Sequence, residues 1–135
     1  MVRAAAQIDP RLIAFILPGI PESVRTARLH VQAALGFHGL ADYAEDAEIV
    51  TSELVTNAVR HASPPIIVEV MCETSHSLQV RVSDATPQPP RRGRPDAHDE
   101  GGRGLAITEI LSDEWGVDPS AGDGKTVWFR INNSG

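Results

Sequence analysis

Glu53-Leu54-Val55-Thr56-Asn57-Ala58-Val59-Arg60-His61-Ala62, followed at once by Ser63-Pro64-Pro65, is the stretch on which the reading of this 135-residue sequence turns. Two prolines in a row end a helix sharply, because neither offers an amide hydrogen and each ring crowds the preceding turn. Upstream of them Ala47, Val50, Leu54, Ala58 and His61 or Ala62 recur every three to four residues, the period of an amphipathic helix. The helix is expected to open at Asp42, where Asp42-Tyr43-Ala44-Glu45 has capping-box-like spacing, and to run to about His61. On it Glu53, Asn57 and His61 follow one another at intervals of four, so they keep to nearly one face. A carboxylate can accept a proton or orient a nucleophile, and an amide oxygen is a hard donor suited to magnesium that shares substrate phosphates. The alignment suits a metal–nucleotide site, and it equally suits the solvated face of an amphipathic helix.

Around this helix the pattern alternates between sheet and helix periods. Arg11–Leu17 is a compact apolar run stopped by Pro18-Gly19, which predicts a buried strand. From Pro21 the spacing turns helical, with Val24, Ala27, Val31, Ala34 and Leu35 on one stripe until Gly36 and Gly39 break it. Ile66–Glu73 and Ser77–Asp84 are strand-like, the second strictly alternating, and Thr74-Ser75-His76 between them makes the pair a hairpin. Residues 85–103 carry four prolines and three glycines without periodicity, a long loop of the kind that more often serves function than packing. Helical spacing resumes over Gly104–Leu111, and Glu114–Val117 and Lys125–Ile131 read as two further strands. Trp115 and Trp128 on those strands are expected in the core.

Composition narrows the function classes. The chain is long enough for one ordinary domain, taken as residues 1–135, and its 41% hydrophobic and 22% charged residues are those of a globular protein. Leu12–Leu17, the longest apolar run, is far too short to span a bilayer, so no membrane role is expected. A net charge of −6 repels a nucleic-acid backbone, and direct nucleic-acid binding is not expected. Cys72 is the one cysteine and has no partner for a disulfide or a thiolate metal site; with no leader-like segment at the start, a cytoplasmic location is the expectation. His30, His38, His76 and His98 do not fall into zinc-ligand spacing, and no Gly-x-Ser-x-Gly elbow supports a serine hydrolase. Arg91-Arg92-Gly93-Arg94 is diluted by Asp96, Asp99 and Glu100 and reads as a solvated loop.

Two further places could carry chemistry. Asp84 ends the alternating strand where the long loop begins, so its carboxylate stands at a sheet end; it could accept from a ligand amino group or simply end the strand as a turn residue. Gly101-Gly102-Arg103-Gly104 precedes a helix, where glycines let backbone amides approach an anion and the helix end favours negative charge. Taken alone, this segment is equally a hinge, and it is not a Walker loop because no Gly-Lys-Ser/Thr closes it.

Taken together and in order, Glu53–Ala62, Val82-Ser83-Asp84, Gly101-Gly102-Arg103-Gly104-Leu105 and Gly124-Lys125-Thr126-Val127 resemble the boxes of the GHKL (Bergerat-fold) ATP-binding family. The sequence is most similar to that family's anti-sigma factor serine/threonine kinase branch, over roughly residues 11 to 131. The resemblance implies a two-layer α/β (α+β) sandwich, a mixed and mostly antiparallel sheet with three main helices on one face. It implies ATP and Mg2+ bound between helix 42–62 and a lid at 85–103. Asn57 would then coordinate the magnesium, Glu53 would act as general base, and Asp84 would accept from the adenine amino group. Gly102 and Gly104 would approach the phosphates, and Thr126 would sit under the adenine with its hydroxyl near Asp84. The implied partners are a sigma factor, held by the protein, and a small anti-anti-sigma protein of STAS type, phosphorylated by it; family members are often homodimers.

One departure keeps an alternative open. Where the family usually continues Asp-x-Gly-x-Gly, this chain reads Asp84-Ala85-Thr86-Pro87-Gln88-Pro89. The missing glycines favour a non-catalytic module whose protein binding depends on nucleotide, whereas Glu53 favours the kinase. A plain interaction protein with an empty site would require the alignment of Glu53 and Asn57 to be accidental.

Overall fold

Five strands form one sheet in a computed structural model that describes residues 11–61, 65–74, 76–84, 106–119 and 124–132. They are β1 (Leu12–Leu17), β2 (Ile66–Thr74), β3 (Ser77–Asp84), β4 (Glu114–Pro119) and β5 (Lys125–Asn132), in the spatial order β1-β2-β3-β5-β4. Every pairing is antiparallel, so the sheet is not mixed among the described residues. The strict alternation of β3 explains its central place. Leu78, Val80, Val82 and Asp84 are buried on one face, and the odd-numbered residues between them face the other way.

Two long helices, α1 (Glu22–Phe37) and α2 (Ala44–His61), cover the face that carries those buried side chains. The α1 stripe is as the spacing predicts: Ala27, Val31, Ala34 and Leu35 are buried, joined by Ser23, whose hydroxyl donates to the Pro18 carbonyl at 2.6 Å. Gly36 does not stop this helix. The stop comes at Gly39, whose φ of +78° suits glycine, with the Leu40 amide donating to Leu35 and the Gly39 amide to Gly36. Leu35 and Leu40 meet in the core beneath this cap and are fully buried.

α2 starts two residues later than expected. A 3₁₀ turn, Ala41–Tyr43, precedes it, so Asp42 lies inside that turn and makes no cap; tightening of this kind is common at helix starts. Its buried residues are Ala47, Val50, Thr51, Leu54, Val55 and Ala58, which leaves Glu53 and Asn57 on the flank of the apolar stripe. A short helix over residues 106–111 contributes Leu111 to the core edge. No helix among the described residues is long and apolar enough to cross a membrane.

On the face of the sheet turned away from α1 and α2, charged residues form a ladder across four strands. Arg130 on β5 grips Glu73 on β2 through two bonds, Nε to Oε1 at 3.0 Å and Nη2 to Oε2 at 3.2 Å, and its Nη1 bonds Glu114 on β4. Ser77 of β3 closes the group, with Oγ 2.9 Å from Glu73 Oε1 and 2.7 Å from Asn132 Oδ1. Trp128, expected in the core, lies on this outer face instead, because it alternates with Val127 and Phe129. Its indole covers Gly116, where any Cβ would meet the ring at 2.9 Å, and the Arg130 guanidinium stands 5.7 Å from the ring centroid. Trp115, by contrast, packs against the core.

The Arg130 hydrogen bonds hold the Glu73 carboxyl below its ordinary value of 4.5, against a smaller opposing push from burial. A depressed carboxylate adds stability above its unfolded pKa and loses it as pH falls through the folded pKa. Glu73→Gln is therefore expected to cost about 1 kcal/mol at pH 7, a value held down by partial solvent exposure of the pair. The gap between wild type and variant in thermal melts should close as the pH drops from about 4.5 downward; a gap independent of pH would show that the ion pair contributes nothing.

Candidate functional site

α2 holds Glu53 and Asn57 one helical turn apart, about 6 Å along the axis, and both side chains are half-buried. Burial of Leu54, Val55 and Ala58 against α1 and the sheet fixes the rotation of the helix and so aims this flank. No ion pair among the described residues occupies either head group. Partial exposure beside a buried stripe is equally what the flank of an amphipathic helix shows. His61 is the last residue of α2, and its side chain lies outside the described residues.

Glu53 opens on a groove between α1 and α2 of about 670 Å³. Arg28 and Gln32 line it from α1, and Glu45, Glu48, Ile49 and Ser52 from α2. Three carboxylates against one guanidinium make the groove acidic. Asn57, one turn on, does not line it.

Asp84 is the last residue of β3 and has only 5% of its side chain exposed, a depth that demands a partner for a carboxylate. One partner among the described residues is Lys125 on the same face, paired with Asp84 in the register of β3 and β5, with Nζ 3.6 Å from Oδ2. Thr126, expected beside Asp84, is instead registered with Ser83, and the two hydroxyls stand 2.8 Å apart on the outer face. The correction follows from the pleat: neighbours along a strand point to opposite faces, so Lys125 and Thr126 cannot both reach Asp84. The spacing of Gly124-Lys125-Thr126-Val127 does not say which of the two faces inward, and only the register across β3 settles it. Gly102, Gly104 and the expected lid at 85–103 lie outside the described residues.

The donors present fit a magnesium–nucleotide complex. The Asn57 amide oxygen is a hard donor that could supply one protein ligand to a magnesium whose other positions are taken by phosphates and waters. A self-contained protein cage is not on offer, since no three His, Cys, Asp or Glu residues gather for one among the described residues.

Comparison with known proteins places the fold. The crystal structure of the RsbU and RsbW domains of Rv1364c from Mycobacterium tuberculosis matches over 90% of this chain with a TM-score of 0.63 and 21% identity; the chain spans 31% of that protein's chain. The histidine kinase AdeS of Acinetobacter baumannii aligns over 98% of this chain and 72% of its own, with a TM-score of 0.49 and 14% identity. No curated protein sequence matches. The family model of the histidine kinase-like ATPase domain matches residues 17–131, from the end of β1 through the β5 residues that face Asp84, and so takes in Glu53, Asn57 and Asp84 together. The resemblance to the GHKL group is borne out, and the chain belongs to the histidine kinase-like ATPase domain family.

Proposed function

We propose that this protein is an ATP-dependent regulator that holds a sigma factor and transfers a phosphoryl group to a serine or threonine of a small anti-anti-sigma partner. The observation that carries the reading is the half-buried pair Glu53 and Asn57, one turn apart on α2 in a chain of an ATPase-domain family. Similarity of fold to a chain described by its RsbU and RsbW domains supports the anti-sigma branch.

Asn57 would hold Mg2+ through its amide oxygen, and the ion would neutralise charge on the nucleotide phosphates. Asp84 would accept from the amino group of the base, and the backbone at Gly102 and Gly104 would approach the phosphates. Glu53 would take the proton from the acceptor hydroxyl, entering from the α1–α2 groove, which gives a protein segment room to approach. The remaining contribution is positioning, as phosphoryl transfer generally requires. A cytoplasmic location and assembly as a homodimer accompany this reading. A second reading, a nucleotide-dependent binding module without transfer, is favoured by the absence of glycines in Asp84-Ala85-Thr86-Pro87-Gln88-Pro89.

Calorimetric titration with ATP tests the site, with and without magnesium, alongside Asn57→Ala. Magnesium-dependent binding is expected in the wild type, and it should weaken at least about tenfold in the variant. Equal binding by both would remove Asn57 from the site. No binding by either would leave a nucleotide-free interaction protein.

A further inference from the structure

The groove between α1 and α2 meets the candidate nucleotide site only at Glu53, since neither Asn57 nor Asp84 lines it. Its carboxylates do not serve ion pairing within the fold: Arg28, Glu45, Glu48 and Glu53 take part in none among the described residues. Glu45 stands in the first turn of α2, where a carboxylate favours the helix start, but Glu48 and Glu53 lie farther along and have no such reason. The groove is also partly apolar. Ile49, which lines it, is 41% exposed, and Leu29, about a quarter turn round α1 from Arg28, is 51% exposed. Unneutralised carboxylates beside uncovered aliphatic side chains complement one kind of surface, a basic segment that also carries an apolar residue.

We propose that this groove docks an extended, Lys- or Arg-bearing segment of a protein partner, and that the segment is the one carrying the acceptor hydroxyl. The second half of the proposal rests on the reading of Glu53 as the general base. Glu45, Ile49 and Glu53 follow one another at intervals of four, so they stand about 6 Å apart along α2 and about 12 Å from first to last. An extended chain advances about 3.3 Å per residue and turns every second side chain to the same face. With the acceptor serine or threonine at Glu53, the side chain two positions away lies over Ile49, and the one four positions away reaches Glu45. The groove thus selects an apolar residue at the second position from the acceptor and a basic residue at the fourth, on the same side of it, with Glu48 adding to the attraction for the basic group.

The test is fluorescence anisotropy of the full chain with labelled peptides, in the absence of nucleotide. The probe is Arg-Ala-Leu-Ala-Ser-Ala-Leu-Ala-Arg, which offers the pattern in either chain direction. One control replaces both arginines by glutamate, and a second keeps the composition but places the arginines next to the serine. The probe should bind at least about tenfold more tightly than the glutamate control and about fivefold more tightly than the shuffled one, and the first advantage should shrink as salt rises from about 0.05 to about 0.5 M. Glu45→Gln combined with Glu48→Gln should weaken the probe at least about fivefold, and Ile49→Ser at least about threefold. Melting temperatures should stay near wild type, since none of the three side chains is buried. Equal affinity for the probe and either control, or probe binding indifferent to these substitutions, overturns the docking role. The assay reads docking without chemistry, so its failure leaves the ATP and Glu53 readings to titration and transfer. If instead Glu53→Gln leaves transfer unchanged, the groove keeps its basic segment and loses only the link to the acceptor.

Discussion

Glu53→Gln is expected to slow phosphoryl transfer to a protein hydroxyl by about a hundredfold to ten-thousandfold, the range over which a positioned general base contributes. Glutamine keeps the volume and the acceptor oxygen of glutamate but cannot take a proton, so packing on α2 is preserved and the chemistry is not. Glu53 is half-buried with no ion pair among the described residues, and the substitution strands no partner charge. Melting temperature should therefore stay within the small range of ordinary surface changes. ATP affinity should also hold, since the proposed magnesium ligand is Asn57, one turn away. Rates of transfer from labelled ATP to a candidate partner, measured beside ATP binding, separate the two roles. Transfer lost with binding intact identifies the base; transfer unchanged in Glu53→Gln would remove Glu53 from the chemistry and leave positioning by the nucleotide site alone to explain the rate.

Much of the fold was legible because local pattern and tertiary burial agree. The stripes Ala27-Val31-Ala34-Leu35 and Ala47-Val50-Leu54-Ala58 are buried as their spacing predicts, and the alternation of β3 sets its inner and outer faces. Places where local reading failed have identifiable physical causes. Gly36 looks like a helix breaker, but a single interior glycine costs about 1 kcal/mol, which burial of Leu35 and Ala34 beside it outweighs. Trp128 looks like core by residue type, yet strand parity places it outside, where Gly116 leaves room for its ring.

The site divides the same way. Glu53 and Asn57 were readable because helix geometry is local: two residues four apart share a face wherever the helix goes. The neighbour of Asp84 was not readable, because it depends on pairing between strands more than forty residues apart in sequence. A one-residue slip in that pairing exchanges Lys125 for Thr126. Short motifs such as Gly124-Lys125-Thr126-Val127 thus locate a strand near a site without saying which side chain enters it. The groove beside Glu53 escaped sequence reading for a related reason, since Arg28 and Glu45 come to line one groove only once α1 and α2 pack.

Phe129→Ala is the expected structural counterpart in size. Phe129 is the largest fully buried side chain among the described residues, at 0% exposure, and sits on β5 between Val80 of β3 and Trp115 of β4. Its removal should cost about 3–5 kcal/mol, from lost transfer energy together with the cavity left in a sheet whose backbone pairing resists collapse. Against the roughly 5–15 kcal/mol that holds most domains folded, that is a large share. Urea denaturation should show a lower midpoint with an unchanged slope, and Phe129→Leu, which refills most of the volume, should cost less than about 1.5 kcal/mol. A loss below about 1 kcal/mol for alanine would mean that β5 is not packed as its burial implies. The consequence reaches the site, because the same strand carries Lys125 to Asp84 through its register with β3. If β5 is held chiefly by Phe129, the alanine variant should weaken nucleotide binding under conditions where the remaining fold is still populated, while Glu53→Gln weakens transfer alone. Opposite patterns in the two variants then separate the scaffold that sets the base subsite from the helix that carries the chemistry.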